Sequence, residues 1–301
     1  MCFILDAPTG MMSDVWSLVQ PELAKITKVC SYDRAGLGFS ERAPVNYSAD
    51  SNNELEMHFG NRWKTSTVER MVDDLHRLIT YSSQQEKPFI FVGVELGAMI
   101  GRFYAQVYES EISDLVLIDP LVEDLFEQDQ GVWVDLWFGH LLPYFQAHQL
   151  SAALGVTRLA LLLKLMVPPL AMEGISEEVV KRQKHLLCNP RHLSSIVDEY
   201  HFINDSISQM QTLFMMKAFP ANISTTVING NFFDDQLPNK MNTAWAKSQQ
   251  TLMSWLHPNN NHIIVNGADH HMIYRQPHTI IDPIIQLIKQ RRNKQTSVHN
   301  R

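Results

Sequence analysis

Cysteine is scarce in this chain, and the few that occur are not spaced for disulfide formation or metal binding. The 301 residues include three cysteines, Cys2, Cys30 and Cys188. Three thiols at these spacings form neither a disulfide framework nor a paired set of metal ligands. We expect all three to be reduced, and because no metal or cofactor motif is found elsewhere, the sequence predicts neither.

An excess of basic residues and a long apolar run are also missing. The formal net charge is −7, whereas a general nucleic-acid-binding domain usually presents a basic surface, so we expect no nucleic-acid partner. No apolar run reaches the roughly 18 residues that indicate a membrane-spanning helix. Phe3-Ile4-Leu5, directly after the first two residues, is typical of a core strand and not of a cleavable signal. As written, the sequence predicts a soluble chain of unspecified location.

Short apolar strands alternate with amphipathic helices along most of the chain. In the clearest helix, from Thr65 to Thr80, apolar residues recur at steps of three and four. Strands are predicted on both sides of it, at Lys28–Tyr32 and from Phe89. This alternation predicts an α/β fold with a mostly parallel sheet covered by helices on both faces.

Residues 121–220 interrupt the alternation. They contain several helical patterns and prolines but no clear strand. The sequence therefore predicts a core segment at 1–120, a helical lid at 121–220, a second core segment at 221–290 and a basic tail at 291–301, which we expect to be frayed.

The most informative motif is Gly93-Val94-Glu95-Leu96-Gly97, which follows a short apolar strand and precedes a helix. Small residues two positions before and after the centre are typical of a nucleophile elbow, a sharp strand–turn–helix that presents its central side chain. That central residue is usually Ser. Here it is Glu95, so the motif predicts the fold more directly than the chemistry.

Taken together, these segments resemble the alpha/beta-hydrolase fold family, in its esterase- and peptidase-like branch. The resemblance covers nearly the whole chain outside the lid. It is carried by Leu5–Gly10 with Trp16, Tyr32–Ser40 with its Asp-Arg-x-Gly-x-Gly-x-Ser motif, the elbow, Leu115–Asp119, and Gly267–His270 with Gln276-Pro277.

The chain departs from the family at its start as well as at Glu95. Two strands usually precede the one that here begins at Cys2, so the Lys28–Tyr32 strand is expected at an unpaired sheet edge. Either the chain is a shortened form of a longer protein, or partner strands are supplied otherwise. Longer relatives often begin with a membrane or signal segment.

The resemblance also implies a set of site residues. In the family the elbow residue attacks, a His takes its proton and an acid orients the His. It places the His at His270, ahead of His271. The acid is expected at Asp234, with Asp235 and Asp119 as alternatives. An Asp at 234 or 235 could equally cap the next helix, and Asp119 could bond only to backbone N–H groups.

The family's oxyanion hole consists of two backbone N–H groups that converge on one point. By resemblance they belong to Thr9 and Leu96. Pro8 stands where the family often has Gly, and it leaves the donor at position 9 in place. Because backbone donors do not depend on the elbow side chain, the hole is expected to persist beside Glu95.

Glu95 itself argues against a Ser-type mechanism. It has no hydroxyl to acylate, and its carboxylate would lie where the oxyanion must develop. Epoxide hydrolases and dehalogenases of the family attack with an Asp at the elbow and hold the leaving oxygen with lid tyrosines. Tyr144 and Tyr200 lie in the lid here, without a recognisable motif. Glu95 could therefore be a nucleophile, a general base acting on water, or part of a pocket that only binds.

The preferred hypothesis is a divergent member that binds a small apolar molecule without Ser-type hydrolysis. The alternative is a hydrolase that uses the Glu95 carboxylate with His270. The strongly apolar stretch at 150–172 is interpreted first as a lid helix packed on the domain, and second as a shallow membrane contact. The sequence does not indicate an oligomeric state.

Overall fold

The computed structural model describes residues 2–42, 66–82, 86–231, 234, 237–256 and 260–299, with only the backbone of 292–299. Asp235, one of the alternatives for the acid, lies outside these residues.

A parallel sheet of six strands forms the centre of the described structure, in the order β2-β1-β3-β4-β5-β6. The strands are β1 (Cys2–Asp6), β2 (Lys28–Ser31), β3 (Phe89–Val94), β4 (Ile112–Ile118), β5 (Ser224–Gly230) and β6 (Asn261–Val265). In the sheet that the described residues form, β2 is an edge strand.

Helices connect these strands and cover the sheet. They are α1 (Gln20–Ala24), α2 (Val68–Ser82), α3 (Leu96–Val107), α4 (Val132–Leu136), α5 (Leu142–Ala153), α6 (Val156–Leu162), α7 (Glu177–Leu187), α8 (Pro190–His201), α9 (Ile203–Met216), α10 (Asn239–Trp255), α11 (Met272–Arg275) and α12 (His278–His299). Short 3-10 turns and one π-helical turn, Trp137–Leu141, lie between them.

Both faces of the sheet are buried, as an apolar parallel sheet requires. Along β3, Phe89 and Phe91 face a core shared with α2 and α3. Ile90 and Val92 point to the opposite face, into a second core shared with α12. The period-2 alternation of side chains therefore distributes one continuous apolar run between two layers, which confirms the predicted fold class.

The segment between β4 and β5, residues 121–220, is helical and is called the helical insertion below. The preferred interpretation of its apolar stretch was wrong. Leu154, Leu162 and Leu165 are 71%, 73% and 78% exposed, so most of this stretch is not packed on the domain. The helical pattern itself is present, but local periodicity does not reveal whether a second layer covers the apolar face.

The expected frayed tail is also corrected, because α12 continues to His299. Arg291 helps to explain the extension. Its guanidinium lies 2.5 Å from the buried Asp114 carboxylate of β4, so the last helix is tied to the sheet beyond the predicted end at residue 290. In the described part of the chain, no helix is both long and apolar enough to cross a bilayer.

Candidate active site

The turn at Glu95 is strained and tightly packed. Glu95 has φ 48° and ψ −111°, a conformation that non-glycine residues rarely adopt. A Cβ on Gly93 would lie 2.3 Å from the carbonyl carbon of Gly97, and a Cβ on Gly97 would lie 2.7 Å from the Asp6 carbonyl oxygen. The two glycines therefore allow β3, the turn and α3 to approach closely, and the turn presents Glu95 beyond the strand end.

His270 contacts the acid that follows β4. Its Nδ1 atom forms a short hydrogen bond with the Asp119 carboxylate. The other oxygen of Asp119 accepts hydrogen bonds from Trp245 Nε1 at 2.9 Å and Asn229 Nδ2 at 3.3 Å. The Trp245 ring also meets His270 edge-on, with centroids 4.7 Å apart. These contacts fix both the carboxylate and the imidazole.

The expectation that Asp234 is the acid partner is corrected to Asp119. The Asp234 backbone is bound to the Asn242 side chain, through N–H···Oδ1 at 2.9 Å and Nδ2–H···O at 3.0 Å. The charge of Asp234 contributes to the raised pKa of His270. His271, the competing histidine, stacks on Tyr274 with ring centroids 5.5 Å apart.

The Thr9 backbone N–H acts on Glu95 itself. It lowers the pKa of the Glu95 carboxyl, as a donor close to a carboxylate does. Leu96 is the first residue of α3, so its N–H is among those that a helix leaves without an intrahelical partner. The side chain of Glu95 thus lies beside the donor that would otherwise bind an oxyanion.

The loop that carries Thr9 is held by a buried ion cluster. Arg34 contacts Asp6 and Glu199, each at 2.7 Å, and donates to the carbonyl oxygens of Ala7 and Pro8, also at 2.7 Å. Glu199, on α8 of the insertion, accepts the Gly10 N–H at 2.7 Å. Burial lowers the pKa of Arg34, but the two carboxylates outweigh it and raise that pKa. The cluster therefore joins β1, the Thr9 loop and the insertion.

Burial and neighbouring charges shift the pKa values of both central groups upward. Burial raises the pKa of Glu95 to about 7, and the Asp119 carboxylate adds to this, while His270 and the Thr9 N–H oppose it. Burial lowers the pKa of His270, but the Asp119 carboxylate outweighs it and brings the pKa to about 9. At pH 7 the imidazole is therefore a cation, and the Glu95 carboxyl is partly protonated.

A cavity of about 470 Å³ lies over Glu95 and His270. The insertion supplies much of its wall, including Phe145, Leu187 and Ile196. The lining is mainly apolar, with polar groups at restricted places, as in small-molecule pockets. His148 and His192 form a second polar area on the insertion side, where burial lowers the pKa of both and that of His192 to about 4.

Several of these residues were not anticipated. Arg34 stands in the Asp-Arg-x-Gly motif, which could have drawn attention to it, but its partner Glu199 is 165 residues away. Trp245 and Asn229 carry no motif. Tyr200 was noted, and the structure places it on the cavity wall, where burial and the Glu95 carboxylate raise its pKa.

The arrangement is chemically specific. It brings Asp119, a protonated His270 and the Glu95 carboxyl together, with no hydroxyl at the elbow to be acylated. A protonated imidazole can donate a proton or stabilise an anion, but it takes up a proton only when it is neutral. The site resembles a hydrolytic triad in layout, and differs from one in its central group.

This combination of a six-stranded parallel sheet, a strained strand–turn–helix and an Asp–His pair defines a hydrolase-type α/β protein. The sequence matches the alpha/beta hydrolase fold family over residues 8–274, and the chain belongs to that family.

Solved structures agree on the fold. Cfl2 from Burkholderia cenocepacia is 15% identical, with a TM-score of 0.66 over 95% of this chain and 87% of that one. The epoxide hydrolase CorEH is 15% identical, with a TM-score of 0.63 over 95% and 90%. A candidate lipase from Acinetobacter baumannii is 16% identical, with a TM-score of 0.60 over 97% and 85%. None of the curated proteins compared with the chain matches it.

Proposed function

We propose that this protein binds a small, largely apolar molecule in the cavity over Glu95 and does not carry out Ser-type hydrolysis. The observation that carries the proposal is that the Glu95 carboxyl lines this cavity at the elbow position, together with Thr9, whose N–H acts on the pKa of that carboxyl. An ester oxyanion would have to compete with that carboxylate for the Thr9 donor and develop beside its charge. The elbow residue therefore fills the position that stabilises the transition state in the Ser mechanism.

The cavity supports a ligand that is apolar along most of its length. Its volume of about 470 Å³ is within the range of small-molecule sites. Polar contact is offered at one end by Glu95 and His270 and on the insertion side by His148 and His192. The Glu95 carboxyl, partly protonated at pH 7, can accept or donate a hydrogen bond to a neutral polar group.

Binding of N-phenyl-1-naphthylamine, a small uncharged fluorophore, tests the proposal. We expect saturable binding to the wild-type protein. Leu187→Glu places an unpaired carboxylate in the cavity and should weaken binding about tenfold or more. Leu162→Glu is the matched control, because this leucine is 73% exposed and does not line the cavity. Equal affinity in all three proteins would mean that the cavity is not the binding site.

The Ser mechanism can be tested by restoring the hydroxyl group that the elbow residue lacks. The wild-type protein is expected to leave p-nitrophenyl butyrate intact. If Asp119, His270 and the two N–H donors are otherwise competent, Glu95→Ser should gain slow esterase activity, and Glu95→Ser combined with His270→Ala should lose it. Esterase turnover by the wild-type protein would contradict the proposal.

A second function, hydrolysis with the Glu95 carboxylate as nucleophile, is favoured by one observation. Tyr200 lies on the cavity wall close enough for the Glu95 charge to affect its pKa. A Glu95 carboxylate oxygen would attack an epoxide carbon and form an ester. The C–O bond between that carbon and the epoxide oxygen would break, and the epoxide oxygen would take the proton of the Tyr200 hydroxyl. Water would then attack the ester carbonyl and give its proton to neutral His270, which passes it to the departing alcohol. The proton of the regenerated Glu95 acid would return to Tyr200.

The two functions predict different results with an epoxide such as styrene oxide. Under the second function, the diol forms at a rate that rises as the pH approaches 9, because His270 must be neutral to accept a proton. Glu95→Gln and Tyr200→Phe should both abolish this turnover. Under the preferred function the diol does not form in any of the three proteins, while the fluorophore still binds.

A further inference from the structure

The helical insertion carries a large apolar surface that the rest of the described structure leaves open. Eight side chains are each more than half exposed, between 54% and 78%, and together they are called the insertion patch. They are Leu150, Leu154, Val156, Leu159, Leu162, Leu163, Leu165 and Val167. Single exposed leucines are normal on a protein surface, but a contiguous run of this kind marks an interaction site.

The patch lies on two helices and the turn between them. It spans the end of α5, all of α6 and the five residues after it. Ser151 Oγ and Thr157 Oγ1 lie 2.9 Å apart and join the two helices. Gly155, with φ 78°, forms the turn between them, and a Cβ placed there would meet nothing within 4 Å. The turn is therefore open at Gly155.

The segment that carries the patch has charged side chains of one sign. The chain has 32 acidic residues, yet none lies between Leu136 and Met172. Arg158 and Lys164 lie within the patch and are exposed. Neither forms an ion pair within the part of the chain that the structure describes. A long cationic side chain beside apolar residues can extend towards anionic headgroups while the apolar residues enter the acyl boundary.

We propose that the insertion patch docks the protein on the surface of an anionic phospholipid bilayer. Both parts of the surface contribute: the leucines supply burial, and the two cations supply attraction to the surface potential, about 1 kcal/mol for each charge. A protein partner would need an apolar and an anionic surface side by side to match this patch. The surface of an anionic bilayer provides both, because its acyl chains accept the leucines and its headgroups attract the cations.

The position of the patch connects it to the cavity. Tyr144, Phe145 and His148, on α5, line the cavity, and Pro169 and Met172 line it just beyond the end of the patch. The same helix and the same following segment thus form both the docking surface and the cavity wall. Docking itself does not depend on the proposed function, but it would bring the cavity close to a store of apolar molecules.

Sedimentation of the full chain with vesicles tests the proposal. We expect binding to phosphatidylcholine vesicles that contain about 30% phosphatidylserine, and weaker binding to phosphatidylcholine alone. Replacing Leu154, Leu162 and Leu165 together with Ser should reduce partition roughly 100-fold, since each change removes an apolar side chain from the interface. Replacing Arg158 and Lys164 with Gln should reduce binding to the anionic vesicles about fivefold for each charge, with little effect on neutral vesicles.

Two controls distinguish docking through the patch from general adhesion and from unfolding. Met215→Ser with Met216→Ser removes two apolar side chains, 86% and 81% exposed, that lie on α9 outside the patch, and this variant should bind vesicles normally. Every variant should keep the wild-type melting temperature, because the replaced residues are exposed. Unchanged vesicle binding in the triple Ser variant would overturn the proposal. A second result would also overturn the proposal. If the wild-type protein does not bind vesicles but self-associates, and the triple Ser variant does not self-associate, the patch is covered by a second copy of the chain.

Discussion

The most direct test of the charge arrangement is the pH dependence of stability in Glu95→Gln. Burial and the nearby Asp119 carboxylate raise the pKa of Glu95 from its ordinary value of 4.5 to about 7. The folded protein therefore holds a proton on Glu95 that the unfolded chain releases near pH 4.5. As the pH rises from 4.5 through 7, this difference lowers the free energy of unfolding of the wild-type protein.

The size of the effect follows from the two pKa values. A difference of one pKa unit between the folded and unfolded states is worth about 1.4 kcal/mol. The difference between 4.5 and about 7 therefore lowers the free energy of unfolding by about 3 kcal/mol once the pH exceeds about 8. The glutamine side chain would match the protonated acid in shape and would not ionise. We expect the stability of Glu95→Gln relative to the wild-type protein to increase by about 3 kcal/mol between about pH 5 and about pH 8.5.

Urea unfolding at four pH values from about 5 to about 8.5 measures this difference. Glu111→Gln is a useful control, because its carboxylate accepts hydrogen bonds from Lys87 and Tyr104, and these outweigh burial and lower its pKa. Glu111 is thus ionised in both states over most of this range, so the difference between this variant and the wild-type protein should stay nearly constant. If the difference in the free energy of unfolding between Glu95→Gln and the wild-type protein is also constant with pH, the Glu95 carboxyl titrates as an ordinary acid. The argument that burial raises its pKa is then refuted.

Three other changes test the packing and the charge pairs. Gly93→Ala should destabilise the fold by about 3 kcal/mol or more, since its Cβ would overlap backbone atoms that cannot move away; urea unfolding measures this. Arg34→Met should cost about 3–5 kcal/mol, because it leaves buried carboxylates without their cation. Asp119→Asn should lower the pKa of His270 from about 9, because burial is then opposed only by the charges of Glu95 and Asp234; an NMR titration of the imidazole would detect this.

Matched substitutions define what would contradict these expectations. Gly139→Ala should leave stability nearly unchanged, because a Cβ there meets nothing within 4 Å. Arg77→Met removes an ion pair whose arginine side chain is 58% exposed, so its effect should be small. If either control were as damaging as its buried counterpart, the close packing or the buried cluster would not explain the loss. A His270 pKa that stays near 9 in Asp119→Asn would mean that another group holds the proton.

The sequence alone determined the sheet and the turn at Glu95, because both depend on short-range patterns. Apolar runs such as Phe89–Val94 indicate buried parallel strands. Gly93 and Gly97 are needed because they approach each other within one five-residue turn. The family resemblance placed Thr9 and Glu95 in one site, and both residues line the same cavity.

Tertiary structure decided which distant groups meet and which surfaces remain open. Asp119 and Asp234 each follow a strand, and only the packing of Trp245 and Asn229 around one of them shows which carboxylate faces His270. The insertion patch has a helical pattern in the sequence, but its exposure depends on where the other layers end. Side-chain pairing and solvent access are relations between segments far apart in the chain, so no local pattern contains them.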